Sequence, residues 1–152
     1  MAGTQNWSAT GWATTSGGTP AAANFPLAQD TAIVNQASAG TQITFDINWN
    51  IGTLDMSART SAMTLAFTGS PSVYGNWLFG TGITSSGTGA LTFSGRSAQT
   101  ITNNGVTFTG QIAISCSGTS LTLNDAMTNS YSGASAINLS TGTFNSNGYS
   151  VT

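Results

Sequence analysis

The 152 residues contain no lysine, no glutamate and no histidine. The charged side chains are Asp30, Asp46, Asp55, Asp125, Arg59 and Arg96, which is 4% of the chain and leaves a formal charge of −2. An ordinary soluble domain carries about 25% charged residues. Two arginines cannot neutralise a phosphate backbone, so the composition argues against nucleic acid as a partner. Without histidine the commonest general base is missing, and so are the His–Ser, His–Cys and His–metal sets. The single cysteine, Cys116, can form neither an internal disulfide nor a zinc site. No apolar run approaches the ~20 residues of a membrane-spanning helix, so membrane insertion is not expected. The first residues, Met1 to Trp7, lack the basic and apolar stretches of a secretory signal. Without such a signal, synthesis in the cytoplasm is expected.

What is present is neutral polarity around an apolar minority. Gly, Ser, Thr and Asn supply about half of the chain, while seven Phe and four Trp provide material for a core. Residues 1–40 hold two Trp, two Pro and the Ser16–Pro20 turn cluster, and read as a cap or attachment segment with one short strand at Ala32–Val34. Residues 41–152 read as a β-solenoid. Ile43, Phe45, Ile47, Trp49 and Ile51 alternate with polar residues, the pattern of one half-buried strand. Met63, Leu65 and Phe67 repeat it.

Beyond residue 90, short apolar-polar-apolar triplets recur at a loose period in the low twenties. Leu91, Ile112 and Ile137 form one series, Ile101, Leu121 and Phe144 a second, and Val106, Met127 and Tyr149 a third. That period is the size of one solenoid coil. Asn104-Gly105, Asn124-Asp125 and Asn147-Gly148 fall at matching places, where positive φ suits a sharp corner. Asn104, Asn124 and Asn147 are the expected corner ladder, hydrogen-bonding along the axis. Asn-Gly equally suits hairpin turns, so an antiparallel β-sandwich is the runner-up. Helix-forming stretches with caps are absent, and the fold class is all-β.

Leu121–Met127 (Leu-Thr-Leu-Asn-Asp-Ala-Met), followed by Ile137–Thr152, resembles the repeats of phage virion and tail-fibre-like proteins. Asn6-Trp7-Ser8, Ser16-Gly17-Gly18 and the 26–30 piece are similar to the opening of the same proteins, and the resemblance spans about two-thirds of the chain. It implies a right-handed parallel β-helix in a virion surface or tail component and carries over no catalytic residue. The similar proteins continue with more coils or a terminal domain where this sequence stops.

Candidate sites follow from residue chemistry. A glycosidase needs two carboxylates about 5 to 9.5 Å apart, and the four Asp are the available acids. Their bland role is to accept backbone N–H groups at turns, with Asp55 and Arg59 close enough in sequence to pair. Thr-x-Thr triplets at 100–102, 107–109 and 141–143 fit an ice-binding surface, or simply β-branched residues on outer strand faces. Asn6 and Asn138 begin glycosylation sequons. Trp7, Trp12, Tyr74, Trp77 and Tyr131 lie in turn-rich sequence, as glycan-stacking, interface or core-capping aromatics. Cys116 continues the inward alternation of Ile112 and Ile114 and reads as a buried hydrophobe.

The expectation is a non-enzymatic structural protein of a phage particle, without catalytic residues, metal or cofactor. Its expected partners are other virion proteins and copies of itself, a trimer being favoured, because a chain without lysine has little protection at its strand edges. A host-glycan adhesin and a capsid-decoration protein are the alternatives.

Overall fold

The structure, a computed structural model, describes residues 2–9, 11–36 and 39–152. Its strands are β1 (Ala2–Asn6), β2 (Thr31–Ile33), β3 (Ala39–Phe45), β4 (Asn50–Ile51), β5 (Thr53–Asp55), β6 (Met63–Phe67), β7 (Ser72–Val73) and β8 (Trp77–Leu78). They continue with β9 (Ile83–Gly87), β10 (Leu91–Phe93), β11 (Gln99–Thr102), β12 (Thr107–Phe108), β13 (Ile112–Leu123), β14 (Thr128–Asn129) and β15 (Ile137–Asn145). Among the described residues the one helical element is a 3₁₀ turn at Ala22–Asn24. Every strand pairing is parallel. The chain winds through about five turns as a β-solenoid. Among the described residues the hairpins of the runner-up sandwich are not formed.

Three stacks of strands make the walls. One is β1-β3-β6-β9, the second runs from β4 through β7 and β10 to the first half of β13, and the third runs β2-β5-β8-β11 to the second half of β13. β13 and β15 turn the corner between the last two walls. The rise between turns is one strand spacing, about 4.8 Å, so equivalent residues stack directly. Ala32, Leu54, Trp77, Ile101 and Leu123 form one such buried column. Trp7 stacks on Phe45 at 4.7 Å between centroids, and Phe45 on Phe67 at 5.1 Å. Each such pair contributes about 0.5–1.5 kcal/mol beyond burial alone. The next position in that column is Gly87, and Phe108 fills the space by meeting Phe67 edge-on at 5.0 Å.

The structure corrects several details of the sequence reading. The Ile43–Ile51 alternation is not one strand: β3 stops at Phe45, β4 starts at Asn50, and Ile47 is 48% exposed on a corner. The corner is held by polar bonds that periodicity does not register. Ser8 Oγ–H donates to Asp46 at 2.6 Å, and the Ser70 N–H donates to Asn48 Oδ1 at 2.7 Å. The expected boundary at residue 40 falls inside β3, and β1 and β2 are strands of the first turn. The first periodic series is in register, since Leu91 faces Ile112 and Ile112 faces Ile137. In the second series Gln99, not Ile101, faces Leu121. In the third, Met127 faces Val151 rather than Tyr149. Coil length varies by a few residues because corners absorb insertions while the walls keep register.

Candidate functional site

The four carboxylates hold backbone. Asp30 accepts the Leu27 N–H at 2.8 Å, and Asp46 takes the Ser8 hydroxyl. Asp55 accepts both the N–H and the Oγ–H of Ser57, at 2.9 and 2.6 Å. Asp125 accepts the N–H groups of Asn103 and Asn104, each at 2.6 Å. Two of these contacts bridge distant parts of the chain and two close local turns. The guanidinium of Arg59, next to Asp55 in sequence, points at main-chain carbonyls: Nε–H to Ser61 at 3.1 Å, Nη1–H to Asn35 at 3.0 Å and Nη2–H to Gly40 at 2.9 Å. Among the described residues no group of three metal-ligating side chains converges.

The aromatic candidates divide by burial. Trp7 and Trp77 are fully buried and Trp12 nearly so. Trp12 donates its indole N–H to the Trp7 carbonyl at 3.2 Å, and its ring meets the Trp7 ring edge-on at 4.7 Å. A buried indole offers no face to a sugar: of the three roles, Trp7 and Trp12 take the core-capping one, and Trp77 lies within the core. Trp7 and Trp12, with Phe25, close the N-terminal end of the core. Tyr74 is 41% exposed and Tyr131 is half-buried. A groove of about 610 Å³ lies beside this cap, lined by Trp12, Phe25, Leu27, Asp30 and Ile33 among others.

The corner asparagines reach along the axis, but to the preceding turn's atoms rather than to one another. Asn104 Nδ2–H donates to the Phe79 carbonyl at 2.6 Å, Asn124 Nδ2–H to Thr102 Oγ1 at 3.0 Å, and Asn147 Nδ2–H to the Leu123 carbonyl at 3.4 Å. Inside the solenoid, Gln99 is 1% exposed and spans three turns. Its amide donates to the Val73 and Gly75 carbonyls, and its Oε1 accepts the Gly95 N–H at 2.7 Å. Sequence reasoning missed Gln99 and the buried Arg59, because a polar residue breaking an inward series reads as a break in the pattern.

Cys116 lies in the same interior, fully buried, with its thiol 3.4 Å from Gln99 Oε1. Burial pushes its pKa up, against the smaller pull of a backbone hydrogen bond at Ser115. A raised pKa leaves less thiolate at any given pH. An aromatic disulfide reagent is expected to leave the native thiol untouched and to titrate it fully in denaturant. Rapid labelling of the native protein would refute this placement.

Of the seven exposed large hydrophobic residues among those described, Leu27, Ile33, Ile47 and Tyr74 lie along the earlier turns, and Leu139, Tyr149 and Val151 lie together on the last turn. Ile112, Ile114, Leu121 and Met127 are at most 1% exposed. Their partners one turn on are Ile137, Leu139, Phe144 and Val151. Leu139 is 51% and Val151 40% exposed, with Tyr149 beside them at 43%. β15 pairs with β13 on one side, and its other edge carries no described strand. Residues 126–152 contain no charged side chain. This turn is an uncharged surface on which Leu139, Tyr149 and Val151 stand among exposed Asn, Ser and Thr, beside a β15 edge with no described partner strand, the chemistry of strand addition.

Fold and surface together define a β-solenoid whose carboxylates accept hydrogen bonds from their own chain and whose 137–152 turn leaves Leu139 and Val151 exposed. No protein-family model, curated protein or solved structure matches the chain.

Proposed function

We propose that the protein is a non-enzymatic structural component of a bacteriophage particle, of tail-fibre, spike or surface-fibre type. It assembles with other virion subunits through the face of the 137–152 turn that carries Leu139 and Val151. The observation that carries this reading is the contrast between the closed inward positions of one turn and the same positions, Leu139 and Val151, exposed in the next. Support also comes from the four carboxylates, each bonded to donors of its own chain. The phage setting rests on the resemblance of the 121–152 repeats, and the proposed assembly includes copies of the chain itself, with a trimer as the form fibres favour.

Light scattering on the purified chain tests the assembly. The native protein is expected to associate as concentration rises, and Leu139→Asp, which places a charge on an exposed position, to remain monomeric. A native protein that stays monomeric at every concentration would overturn assembly through this face. Labelled antibodies imaged on the particle are expected to mark tail or capsid surface, and particles without label would overturn the virion role.

A further inference from the structure

The two Asn-Gly pairs form the same local turn in different surroundings. Asn104 and Gly105 have φ of 49° and 75°, and Asn147 and Gly148 have 53° and 80°. Val106 N–H closes the first turn on the Asn103 carbonyl at 3.0 Å, and Tyr149 N–H closes the second on the Ser146 carbonyl at 2.9 Å. All four residues are exposed. We propose that Asn147 is a site of spontaneous deamidation and that Asn104, of identical sequence type, is protected by its neighbours.

The reaction needs the asparagine side chain to leave its hydrogen bond and turn toward the next backbone nitrogen. Hydroxide removes the Gly148 amide proton, and that nitrogen attacks Cγ of Asn147. A new C–N bond closes a succinimide, and the side-chain nitrogen leaves as ammonia after taking a proton from water. Water then opens the ring to aspartate or isoaspartate, so one water enters, one ammonia leaves, and nothing is oxidised or reduced. Glycine has no side chain to obstruct the attack, and asparagine is a thermolabile residue for this kind of reason.

At Asn104 this path is blocked in three ways. The amide is held on the Phe79 carbonyl at 2.6 Å. The Asp125 carboxylate clamps the N–H groups of Asn103 and Asn104 at 2.6 Å each, and hydrogen bonds to a charged acceptor are the strong ones. The same carboxylate disfavours both hydroxide and the imide anion at the adjacent nitrogen, by like charge. At Asn147 the amide reaches the Leu123 carbonyl at 3.4 Å, near the outer limit of a hydrogen bond. Its backbone N–H is held at 2.9 Å by the neutral amide of Asn145. The product places a carboxylate within 126–152, which has no other charged side chain, and removes the donor facing Leu123. Weakened association through the 137–152 turn is the consequence, and that part rests on the assembly reading above.

The full chain, incubated at mildly alkaline pH and followed by peptide mapping, is the test. Asn147 is expected to convert at least about tenfold faster than Asn104, equivalent to about 1.4 kcal/mol in barrier height. Asp125→Asn is expected to accelerate Asn104 and leave Asn147 unchanged. Equal rates at the two sites would overturn the proposal. So would an unconverted Asn147 under conditions where the urea-unfolded chain reacts at both. Association of Asn147→Asp is measured separately: undiminished association alongside confirmed conversion overturns only the assembly consequence.

Discussion

Gly89→Ala is expected to be among the most damaging single-methyl substitutions at the described glycines. A Cβ at Gly89 would lie 2.1 Å from the Gly69 carbonyl oxygen. One turn on, a Cβ at Gly110 would lie 2.1 Å from the Gly89 carbonyl oxygen, and one turn back, a Cβ at Gly69 would lie 2.6 Å from the Ile47 carbonyl. Three glycines thus stack at one corner, each occupying the space where a side chain of the next turn would project. The contacting atoms are backbone, so relief requires moving two turns apart rather than rotating a side chain. Overpacking in a core costs about 1–3 kcal/mol where side chains can adjust. Here the cost is expected to be at least about 3 kcal/mol, at the upper end of the usual range for point mutants. Urea denaturation checks this. Gly105→Ala is the contrast, since no atom lies within 4 Å of its Cβ and the cost is that of positive φ alone, about 1 kcal/mol. Equal midpoints for Gly89→Ala and the wild type would sink the close-approach explanation.

Arg59→Ala carries the second large effect. Arg59 is 3% exposed, and its guanidinium joins the end of the β2 loop, the start of β3 and the loop before β6. Burial lowers its proton affinity, yet arginine remains charged at any ordinary pH. The charge is met by carbonyl dipoles at three separate places, which one planar fork of five donors can serve together. Gln36 braces the same loop, accepting the N–H groups of Thr60 and Ser61 at 3.1 and 3.0 Å. Truncation leaves buried carbonyls without donors, for an expected loss of about 3 kcal/mol. Arg59→Lys is expected to recover little of it, because one ammonium cannot span the three acceptors. Denaturation midpoints of the two variants decide the matter: wild-type stability in Arg59→Lys would show that charge, not the fork, is what the site requires.

These two positions mark where the sequence stopped being legible. The parallel solenoid could be read from Leu91, Ile112 and Ile137, because stacked turns repeat the same apolar residue at nearly fixed intervals. The turn residues Asn104 and Asn147 were legible as positive-φ corners for a local reason. Arg59 gave no such signal, since its acceptors come from residues 35, 40 and 61 and meet only when two turns are stacked. The glycine corner was equally silent: Gly69, Gly89 and Gly110 sit among other glycines, and only the neighbouring turn's carbonyl distinguishes them. Trp77 shows the reverse error. Its turn-rich flanks suggested surface, while the column Leu54–Trp77–Ile101 places it in the core.

The sequence by itself determined an all-β chain, poor in charge, wound in coils of about twenty-odd residues. These follow from composition and short-range periodicity, which act residue by residue. Tertiary structure decided which coil lengths pair, which carboxylate holds which turn and which aromatics are buried. Those outcomes depend on contacts between residues some twenty positions apart, set by the registry of one turn upon the next.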